Sequence, residues 1–241
     1  MATGNSIISG SGNFSDVYEG NFKDSLMASR KVAIKVLKAE TNYKEFFKEA
    51  FAASDLNHEN IVEFLGICIE PTNMIIFEFM EGGELLTYLR CDEQQQKLTA
   101  ADLMEMICDV CKGCAYMELM KFVHRDLAAR NCLLTSTNPL TRKVKHIICK
   151  NTSQYFCSLP QFGRFYSQVK IGDFGLARGM HKNSYYKGGE FLPIRWMSPE
   201  ALMDRKFSSK SDIWSFGVLV WEILNLGKYS FHKGKRIVCV I

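Results

Sequence analysis

An acidic side chain and an amide side chain lie five positions apart in one segment, His124-Arg125-Asp126-Leu127-Ala128-Ala129-Arg130-Asn131. The segment follows a long apolar helical pattern and precedes the apolar residues Leu133 and Leu134, which predicts a loop. In such a loop Asp126 could accept the proton of a hydroxyl group, and Asn131 could bind a metal ion. Chance is a poor explanation for this order of residue types.

A second acidic group follows a predicted short strand, Val169 to Ile171, in the triplet Asp173-Phe174-Gly175. Its carboxylate is the hard oxygen ligand that Mg²⁺ prefers. We therefore predict that this triplet and the loop containing Asp126 and Asn131 share one site for a metal ion and a phosphate group.

Glycines that could close over phosphates lie near the start of the chain, in Gly10-Ser11-Gly12-Asn13-Phe14-Ser15-Asp16-Val17. Glycine allows the backbone to approach a phosphate with its amides pointing toward it. Taken alone, the loop is explained at least as well by a hairpin turn, and Ser15 replaces the third glycine of the phosphate-binding pattern. The strand that follows it favours the phosphate interpretation.

That strand contains Val32-Ala33-Ile34-Lys35, whose alternation places Lys35 on one buried face. A lysine on a buried face needs an anionic partner. Glu49 can supply it, because it lies at the edge of the apolar stripe of a helix predicted near residues 43 to 55. The alternative is that Lys35 and Glu49 are two unrelated solvated charges.

Two regions of different secondary structure must position these groups. Residues 8 to 80 contain short β-rich runs around one helix, whereas residues 98 to 122 and 211 to 226 have the pattern of long apolar helices. Glu81-Gly82-Gly83-Glu84 has the glycine pair of a flexible connection and marks the predicted boundary. The apolar stripe of the early helix consists of Tyr43, Phe46, Phe47, Ala50 and Phe51.

One stretch differs from its surroundings. The pair Val144-Lys145 recurs as Val169-Lys170, and residues 146 to 170 have neither helical nor strand periodicity. We predict that 146 to 170 is an insertion that forms a disordered or loosely packed loop, since loops of this length are usually functional or disordered.

The order of these motifs, followed by Ser198-Pro199-Glu200, resembles the protein kinases over residues 8 to 227. Ala128-Ala129-Arg130 and the run from Leu192 to Met197 are similar to the tyrosine-specific branch. Within that branch the stretch from Met80 to Arg90 and the pair Tyr185-Tyr186 are most similar to receptor kinases of the sevenless/Ros, anaplastic lymphoma kinase and insulin-receptor group.

The resemblance implies a two-lobed α+β kinase fold. Residues 1–80 would form the small β-rich lobe with one main helix, and residues 81–227 the larger helical lobe, interrupted by 146–170. Residues 228–241 would be a tail outside the family pattern, so that the helical lobe is expected to be truncated.

The resemblance also implies ATP and Mg²⁺ as cofactors and tyrosine-containing proteins as substrates. Asp126 would be the catalytic base, Lys35 would bind the α- and β-phosphates, and Glu49 would orient Lys35. Arg130 would position the substrate tyrosine, and Phe77 would lie at the back of the pocket. The Mg²⁺ ligands would be Asn131 and Asp173. The remaining nucleotide contacts would come from Gly10, Gly12, Val17, Ala33, Glu78, Met80 and Leu133.

Composition excludes several classes of protein. The 47% of hydrophobic and 23% of charged residues are typical of a soluble globular chain. A net charge of +4 from scattered basic residues argues against a nucleic-acid binder. No export signal or membrane span is predicted, so we expect a cytoplasmic location. In a longer parent receptor, the chain would lie on the cytosolic side of the plasma membrane. Dimerisation would then occur through that parent receptor.

The nine cysteines lack the framework of a small secreted domain and are expected to be reduced. The series Cys108-x-x-Cys111-x-x-Cys114 suggests a metal cluster, but it lies in a helical pattern that turns Cys108 away from the stripe containing Cys114. Packing is therefore the favoured explanation of this series.

Two other functions compete with an active kinase. The first is a truncated or inactive isoform that binds nucleotide or partners without turnover. The polar residues of the site are all present, but the insertion and the expected truncation leave this alternative open. The second is an unrelated nucleotide-binding module, which the lack of a Gly-Lys-Ser/Thr phosphate loop excludes.

Overall fold

A computed structural model describes residues 8–11, 15–23, 29–38, 43–136, 168–173, 178–179 and 193–228. Among the predicted features, Gly12, the pair Tyr185-Tyr186 and the tail beyond residue 228 lie outside these residues. So does the predicted insertion up to residue 167.

The first lobe is built on an antiparallel five-stranded sheet with the order β1-β2-β3-β5-β4. Its strands are β1 (Ile8–Ser11), β2 (Ser15–Lys23), β3 (Ser29–Leu37), β4 (Phe64–Cys68) and β5 (Met74–Glu78). The central strand β3 is rich in β-branched residues, which fit a sheet that is covered on its faces. Lys35 lies in this central strand.

Helix α1 (Tyr43–Ser54) packs on the sheet through Phe46 and Ala50, which are buried together with Ile75 of β5. Phe47 is partly buried and makes an edge-to-face contact with Phe46. The predicted stripe is wrong at Phe51, whose side chain is 65% exposed. At 3.6 residues per turn Phe51 lies about 140° around the helix from Phe46, which places it on the opposite side.

The connection between the lobes is tied to the helical lobe by hydrogen bonds. The Gly82 N–H donates to the Leu134 carbonyl at 2.9 Å, and the short strand β6 (Gly83–Glu84) pairs with β8 (Cys132–Leu134). A Cβ at position 82 would lie 2.5 Å from the Leu134 Cβ, and Gly83 has a φ of +68°. The glycine pair therefore serves close approach and a left-handed turn, whereas the sequence predicts flexibility.

The second lobe is mainly helical. Its helices are α2 (Leu85–Arg90), α3 (Asp92–Gln95), α4 (Ala100–Leu119), α5 (Pro199–Asp204) and α6 (Ser209–Leu224). Helices α4 and α6 confirm the two long helices predicted from periodicity. Their fully buried residues Met106, Val110, Leu219 and Ile223 meet in the main core.

Helix α4 begins with a capping box. The Thr99 side chain accepts the Asp102 N–H, and the Asp102 carboxylate accepts the Thr99 N–H at 2.9 Å. These two bonds satisfy donors that the first turn of a helix leaves without partners.

Short strands lie between the long helices. Strand β7 (Phe122–Val123) pairs with β10 (Arg178–Gly179), and β8 pairs with β9 (Val169–Ile171). The described arrangement is a β-sheet lobe followed by a helical lobe, which confirms the predicted α+β fold class. In the part of the chain that the structure describes, no helix has the length and hydropathy needed to cross a membrane.

Strand β9 includes the last two residues of the predicted insertion 146–170. Val169 is fully buried, its N–H donates to Asp109 Oδ2 at 3.1 Å, and its carbonyl accepts from Asn60 Nδ2 at 2.9 Å. Loose packing is therefore wrong for Val169 and Lys170, because they complete the sheet next to β8. The boundaries of the insertion remain a prediction.

Candidate active site

The loop that contains Asp126 is anchored by a carboxylate from α6. Asp212 Oδ2 accepts the His124 N–H at 2.6 Å, and Asp212 Oδ1 accepts the Arg125 N–H at 2.9 Å. Burial raises the pKa of Asp212 to about 7, although the two backbone hydrogen bonds act in the opposite direction. Arg125 has a φ of +69°, so the two amides are held at a left-handed turn.

The fully buried imidazole of His124 links the same loop to the segment after β9. Its Nε2 lies 3.0 Å from the Gly172 carbonyl, and its Nδ1 accepts the Asp126 N–H at 3.3 Å. Because a carbonyl can only accept, Nε2 carries the proton and the ring is neutral. Burial lowers the pKa of His124, which is consistent with this neutral tautomer.

Asp126 lies between two side chains of the short 3₁₀ turn Ala129–Asn131. Arg130 Nη2 donates to Asp126 Oδ1, and Asn131 Nδ2 donates to the Asp126 carbonyl at 2.7 Å. Burial raises the pKa of Asp126 to about 6, against the opposing effects of Arg130 and Asn131. The group is therefore a stronger base than an exposed aspartate, yet is ionised near neutral pH.

Lys35 joins the sheet lobe to this site. Its Nζ lies 2.6 Å from Glu49 Oε1 on α1 and 3.4 Å from Asp173 Oδ1. The ion pair that the sequence predicts between Lys35 and Glu49 is thus present. Burial alone lowers the pKa of Lys35, but the carboxylates of Glu49 and Asp173 outweigh it and raise that pKa above its usual value.

Asn131 and Asp173 are brought together by the backbone. The Gly172 N–H donates to the Asn131 carbonyl at 2.9 Å, directly before Asp173, whose side chain is 52% exposed. Since the Asn131 amide nitrogen donates to Asp126, its Oδ1 is the atom that can bind a cation. Both residues therefore offer hard oxygen ligands of the kind that suits Mg²⁺.

A magnesium site here needs further oxygen ligands from outside the chain. Across the described ranges, no group of three His, Cys, Asp or Glu side chains could hold a metal ion. Mg²⁺ commonly binds through one or two protein groups together with substrate phosphates and water. Asn131 and Asp173 fit that type of site.

Two of the predicted nucleotide contacts, Val17 and Ala33, lie on the face of the sheet that carries Lys35. Val17 of β2 is the cross-strand partner of Lys35, and Phe77 of β5 is the partner of Ala33. Cross-strand partners and residues two apart share a face, so these four side chains lie together. Gly10 of β1 pairs with Val17, which continues the surface toward the first strand.

Glu78 and Met80 follow at the connection between the lobes. The Glu78 N–H donates to the Glu63 carbonyl at 3.0 Å, so a backbone contact to adenine from Glu78 must use its carbonyl. The Met80 carbonyl accepts the Gly83 N–H at 3.0 Å. Leu133 lies in β8, opposite Lys170, and Lys170 Nζ reaches Glu78 Oε1 at 2.5 Å.

Two carboxylates of α6, Asp212 and Glu222, have roles that were not predicted from the sequence. Glu222 Oε2 accepts the Ala129 N–H at 2.9 Å and the Trp196 indole N–H at 3.0 Å. The Arg130 guanidinium carbon lies 4.1 Å from the centre of the Trp196 ring. An available signal was the presence of acidic residues in an otherwise apolar helix, because a buried carboxylate needs partners.

The cysteine series on α4 does not form one cluster. Cys108 and Cys111 are exposed, and Cys114 is partly buried against the main core. Packing therefore explains Cys114 but not the other two. The described cysteines are free thiols.

Comparison with known proteins identifies relatives of this chain. A family model for protein tyrosine and serine/threonine kinases matches residues 5–238, which extends past residue 227, where we expected the resemblance to end. The proto-oncogene tyrosine-protein kinase ROS of Homo sapiens is 45% identical over 248 residues, covering 96% of this chain and 10% of ROS.

Two further relatives match over a similar share of this chain. Protein sevenless of Drosophila melanogaster is 43% identical over 235 residues, covering 92% of this chain and 8% of sevenless. The leukocyte tyrosine kinase receptor of Mus musculus is 38% identical over 245 residues, covering 95% of this chain and 24% of that receptor. This chain thus spans a quarter or less of each of these three relatives. These matches agree with the geometry of the site. The chain belongs to the family of protein tyrosine and serine/threonine kinases, and it is similar to the ROS tyrosine kinase and to sevenless.

Proposed function

We propose that this chain transfers the γ-phosphoryl group of ATP to tyrosine hydroxyl groups of proteins. The observation that carries the proposal is two sets of contacts, from Glu49 through Lys35 to Asp173 and from Asn131 to Asp126, which the hydrogen bond from the Gly172 N–H to the Asn131 carbonyl joins. Together these contacts combine a phosphate-binding cation, two oxygen ligands for a metal ion and one carboxylate base.

Asp126 is assigned the role of general base. With a pKa raised to about 6 by burial, it is ionised at neutral pH and basic enough to receive the tyrosine hydroxyl proton as the phosphoryl group is transferred. Its contact with Arg130 fixes the direction of the carboxylate. Arg130 is assigned to the substrate tyrosine.

Lys35 is assigned to the α- and β-phosphates, with Glu49 holding its ammonium group in place. The pKa of Lys35 is raised, so the side chain is cationic at every pH at which the protein would act. Asn131 and Asp173 would hold Mg²⁺. When bound, Mg²⁺ neutralises charge on the phosphate oxygens.

The adenine ring is assigned to the cleft between Lys35's face of the sheet and β8. The Glu78 carbonyl would accept from the adenine amino group, and the Met80 N–H would donate to a ring nitrogen. The neighbouring groups assigned to the ring and phosphates are Gly10, Gly12, Val17, Ala33 and Leu133. Phe77, in edge-to-face contact with Phe64, would close the back of the pocket.

The substrates and setting of the chain are part of the same proposal. We assign tyrosine-containing proteins as its partners and the cytosolic side of the plasma membrane as its location. Dimerisation would occur through a longer parent receptor. The support is the similarity to the ROS, sevenless and leukocyte receptor proteins.

The test is phosphorylation of a tyrosine peptide by the purified chain with ATP and Mg²⁺. Phosphotyrosine that appears with the wild type and is lost with Asp126→Asn supports the proposal. Phosphate found only on serine, or nucleotide binding without turnover, would overturn it. The second result would favour the inactive kinase, which no observation on the described residues favours at present.

A further inference from the structure

Glu222 joins two segments that are far apart in the chain. Glu222 is 2% exposed, and its Oε2 accepts hydrogen bonds from the Ala129 backbone N–H and from the Trp196 indole N–H. Ala129 belongs to the loop of Asp126, whereas Trp196 precedes α5. One buried carboxylate oxygen therefore fixes the position of both segments.

Trp196 in turn supports Arg130. The guanidinium carbon of Arg130 lies 4.1 Å from the centre of the indole ring, within the range of a cation–π contact. The other end of the guanidinium group contacts Asp126 Oδ1. A chain of direct contacts thus runs from Glu222 through Trp196 and Arg130 to the proposed catalytic base.

This arrangement restrains a flexible side chain at the place where a substrate would bind. An arginine side chain loses rotamer entropy when it is ordered, so supports that hold it beforehand lower the cost of binding. A planar guanidinium group can stack on aromatic rings through its faces. Since the indole lies against the guanidinium group of Arg130, the ring of a substrate tyrosine would pack on the side of that group away from the indole.

We propose that Glu222 is a positioning residue for the tyrosine substrate, because it holds Trp196 and the Ala129 backbone so that Arg130 presents one face to the substrate ring. Glu222 itself touches neither substrate nor nucleotide. The inference rests on the proposed tyrosine kinase function. It adds a determinant of substrate binding that lies in α6, away from the nucleotide.

The two carboxylate oxygens of Glu222 have different surroundings, which guides the choice of variants that test the proposal. Oε1 is buried and has no hydrogen-bond partner in the described part of the structure. In Glu222→Gln the side-chain carbonyl can still accept both hydrogen bonds, and the amide nitrogen takes the position of Oε1. Glu222→Met has a similar length and removes both acceptors. Trp196→Phe keeps an aromatic ring and removes the indole donor.

Steady-state kinetics with a tyrosine peptide separate positioning from general damage. We expect Glu222→Met and Trp196→Phe to raise the peptide KM about tenfold, with the ATP KM within about twofold of the wild type. Glu222→Gln should stay within about threefold. Glu118→Gln, an exposed change at the end of α4, is the control and should alter neither constant. A peptide KM unchanged in Glu222→Met, or an equal rise in both KM values, would overturn the proposal.

A spectroscopic measurement keeps the inference distinct from the proposed function. The ¹⁵N-labelled indole N–H signal of Trp196, identified by its loss in Trp196→Phe, should keep its shift in Glu222→Gln and move in Glu222→Met. If the wild-type chain shows no turnover, the proposed function fails, and a tyrosine peptide is titrated against the same signal. Movement of the signal on peptide addition supports the role of this cluster in substrate binding, and an unmoved signal contradicts it. If Glu222→Met does not fold, the peptide KM of Trp196→Phe decides.

Discussion

Lys35 Nζ lies 2.6 Å from Glu49 Oε1, which joins the central strand of the sheet to the helix packed on it. Glu49 is the more buried partner, with a side chain that is 6% exposed against 18% for Lys35. The same ammonium group lies 3.4 Å from Asp173 Oδ1. Two elements of the first lobe and one loop of the second therefore meet at a single cation.

Glu49→Gln tests whether this ion pair orients Lys35. The glutamine carbonyl can still accept a hydrogen bond from Lys35, but the negative charge is lost and Asp173 is the carboxylate that remains, so the ammonium group is held less firmly against α1. We expect kcat/KM for ATP to fall about tenfold or more, because removing one partner of a partly buried pair leaves the other charge uncompensated.

The matched control for that change is Glu19→Gln. Glu19 pairs with Lys31 at 2.8 Å on the neighbouring strands, where Lys31 is 54% exposed. Exposed pairs contribute little, so kcat/KM should change by less than about twofold. Equal losses in the two variants would contradict a specific role for Glu49.

Asp126→Asn should remove most of the phosphoryl transfer and leave ATP binding nearly intact. General-base help is typically worth about 10² to 10⁴ in rate, and the proton transfer plays no part in nucleotide binding. Turnover of a tyrosine peptide and ATP affinity are measured on the same preparation. Asp204→Asn, on an exposed residue of α5, is the control. Full turnover in Asp126→Asn would contradict the assigned role.

A site residue can be predicted from the sequence when its contact partners can be inferred from the residue pattern of its own segment. Lys35 and Glu49 could be paired because each lies at a buried position of a periodic element, and a buried lysine requires an anion. Asp126, Asn131 and Asp173 are marked by their chemistry and by the loops that hold them. These predictions depend on spacing within single segments.

Asp212 and Glu222 could not be assigned in the same way. Their partners are backbone N–H groups of a loop that precedes them by more than eighty positions, together with the indole of Trp196. Neither spacing nor periodicity relates such groups, since only tertiary packing brings α6 beneath the loop.

The exposure of Phe51 has a local cause that a stricter application of the helical period would have found.

The rate at which each described cysteine reacts with an alkylating reagent should depend on how deeply it is buried. Cys91, Cys108 and Cys111 are exposed, whereas burial raises the pKa of Cys114 and Cys132. Because the thiolate is the reacting form, we expect the exposed thiols to be alkylated at least about tenfold faster in the folded protein. Peptide mapping by mass spectrometry after timed alkylation measures this. Equal rates for Cys111 and Cys132 without denaturant would contradict the burial of Cys132.

His124 should make the protein less stable on acidification. Burial lowers its pKa in the folded state, whereas in the unfolded chain it titrates near the ordinary histidine value of about 6.5. As the pH falls below that value, the unfolded state binds the proton first, so the free energy of unfolding decreases. The stability that neutral His124 contributes is present above about pH 6.5 and is lost toward its lowered folded pKa.

Urea unfolding at pH 7.5 and pH 5.5 measures this effect. The variant His124→Gln removes the titrating ring, and its amide nitrogen can take the position of the imidazole Nε2 and donate to the Gly172 carbonyl. The raised pKa values of Asp126 and Asp212 act in the opposite direction in both proteins, so the effect of His124 is read from the difference between them. Between pH 7.5 and pH 5.5 the unfolding free energy of the wild type should fall relative to that of the variant. An equal change in both proteins would contradict the contribution of His124.

The last prediction concerns the predicted insertion 146–170. Because Val144-Lys145 repeats Val169-Lys170, deletion of 146–170 gives the same polypeptide as deletion of 144–168, and a Val-Lys pair remains for β9. The deletion variant can therefore keep the buried valine and its hydrogen bonds to Asp109 and Asn60. It shortens the connection between β8 and β9 about fourfold. Since each halving of a flexible loop lowers its closure cost by about 0.6 kcal/mol, the variant should be more stable by about 1 kcal/mol.

Thermal unfolding and turnover of the deletion variant test this expectation against a variant that damages the strand itself. Val169→Ser in the full chain removes a buried side chain and should lower the melting temperature, which shows that the measurement responds to β9. The deletion should instead raise the melting temperature or leave it unchanged, with phosphorylation of a tyrosine peptide retained. A melting temperature lowered as far as in Val169→Ser would mean that the deleted residues are an integral part of the folded lobe, and the interpretation as an insertion would be wrong.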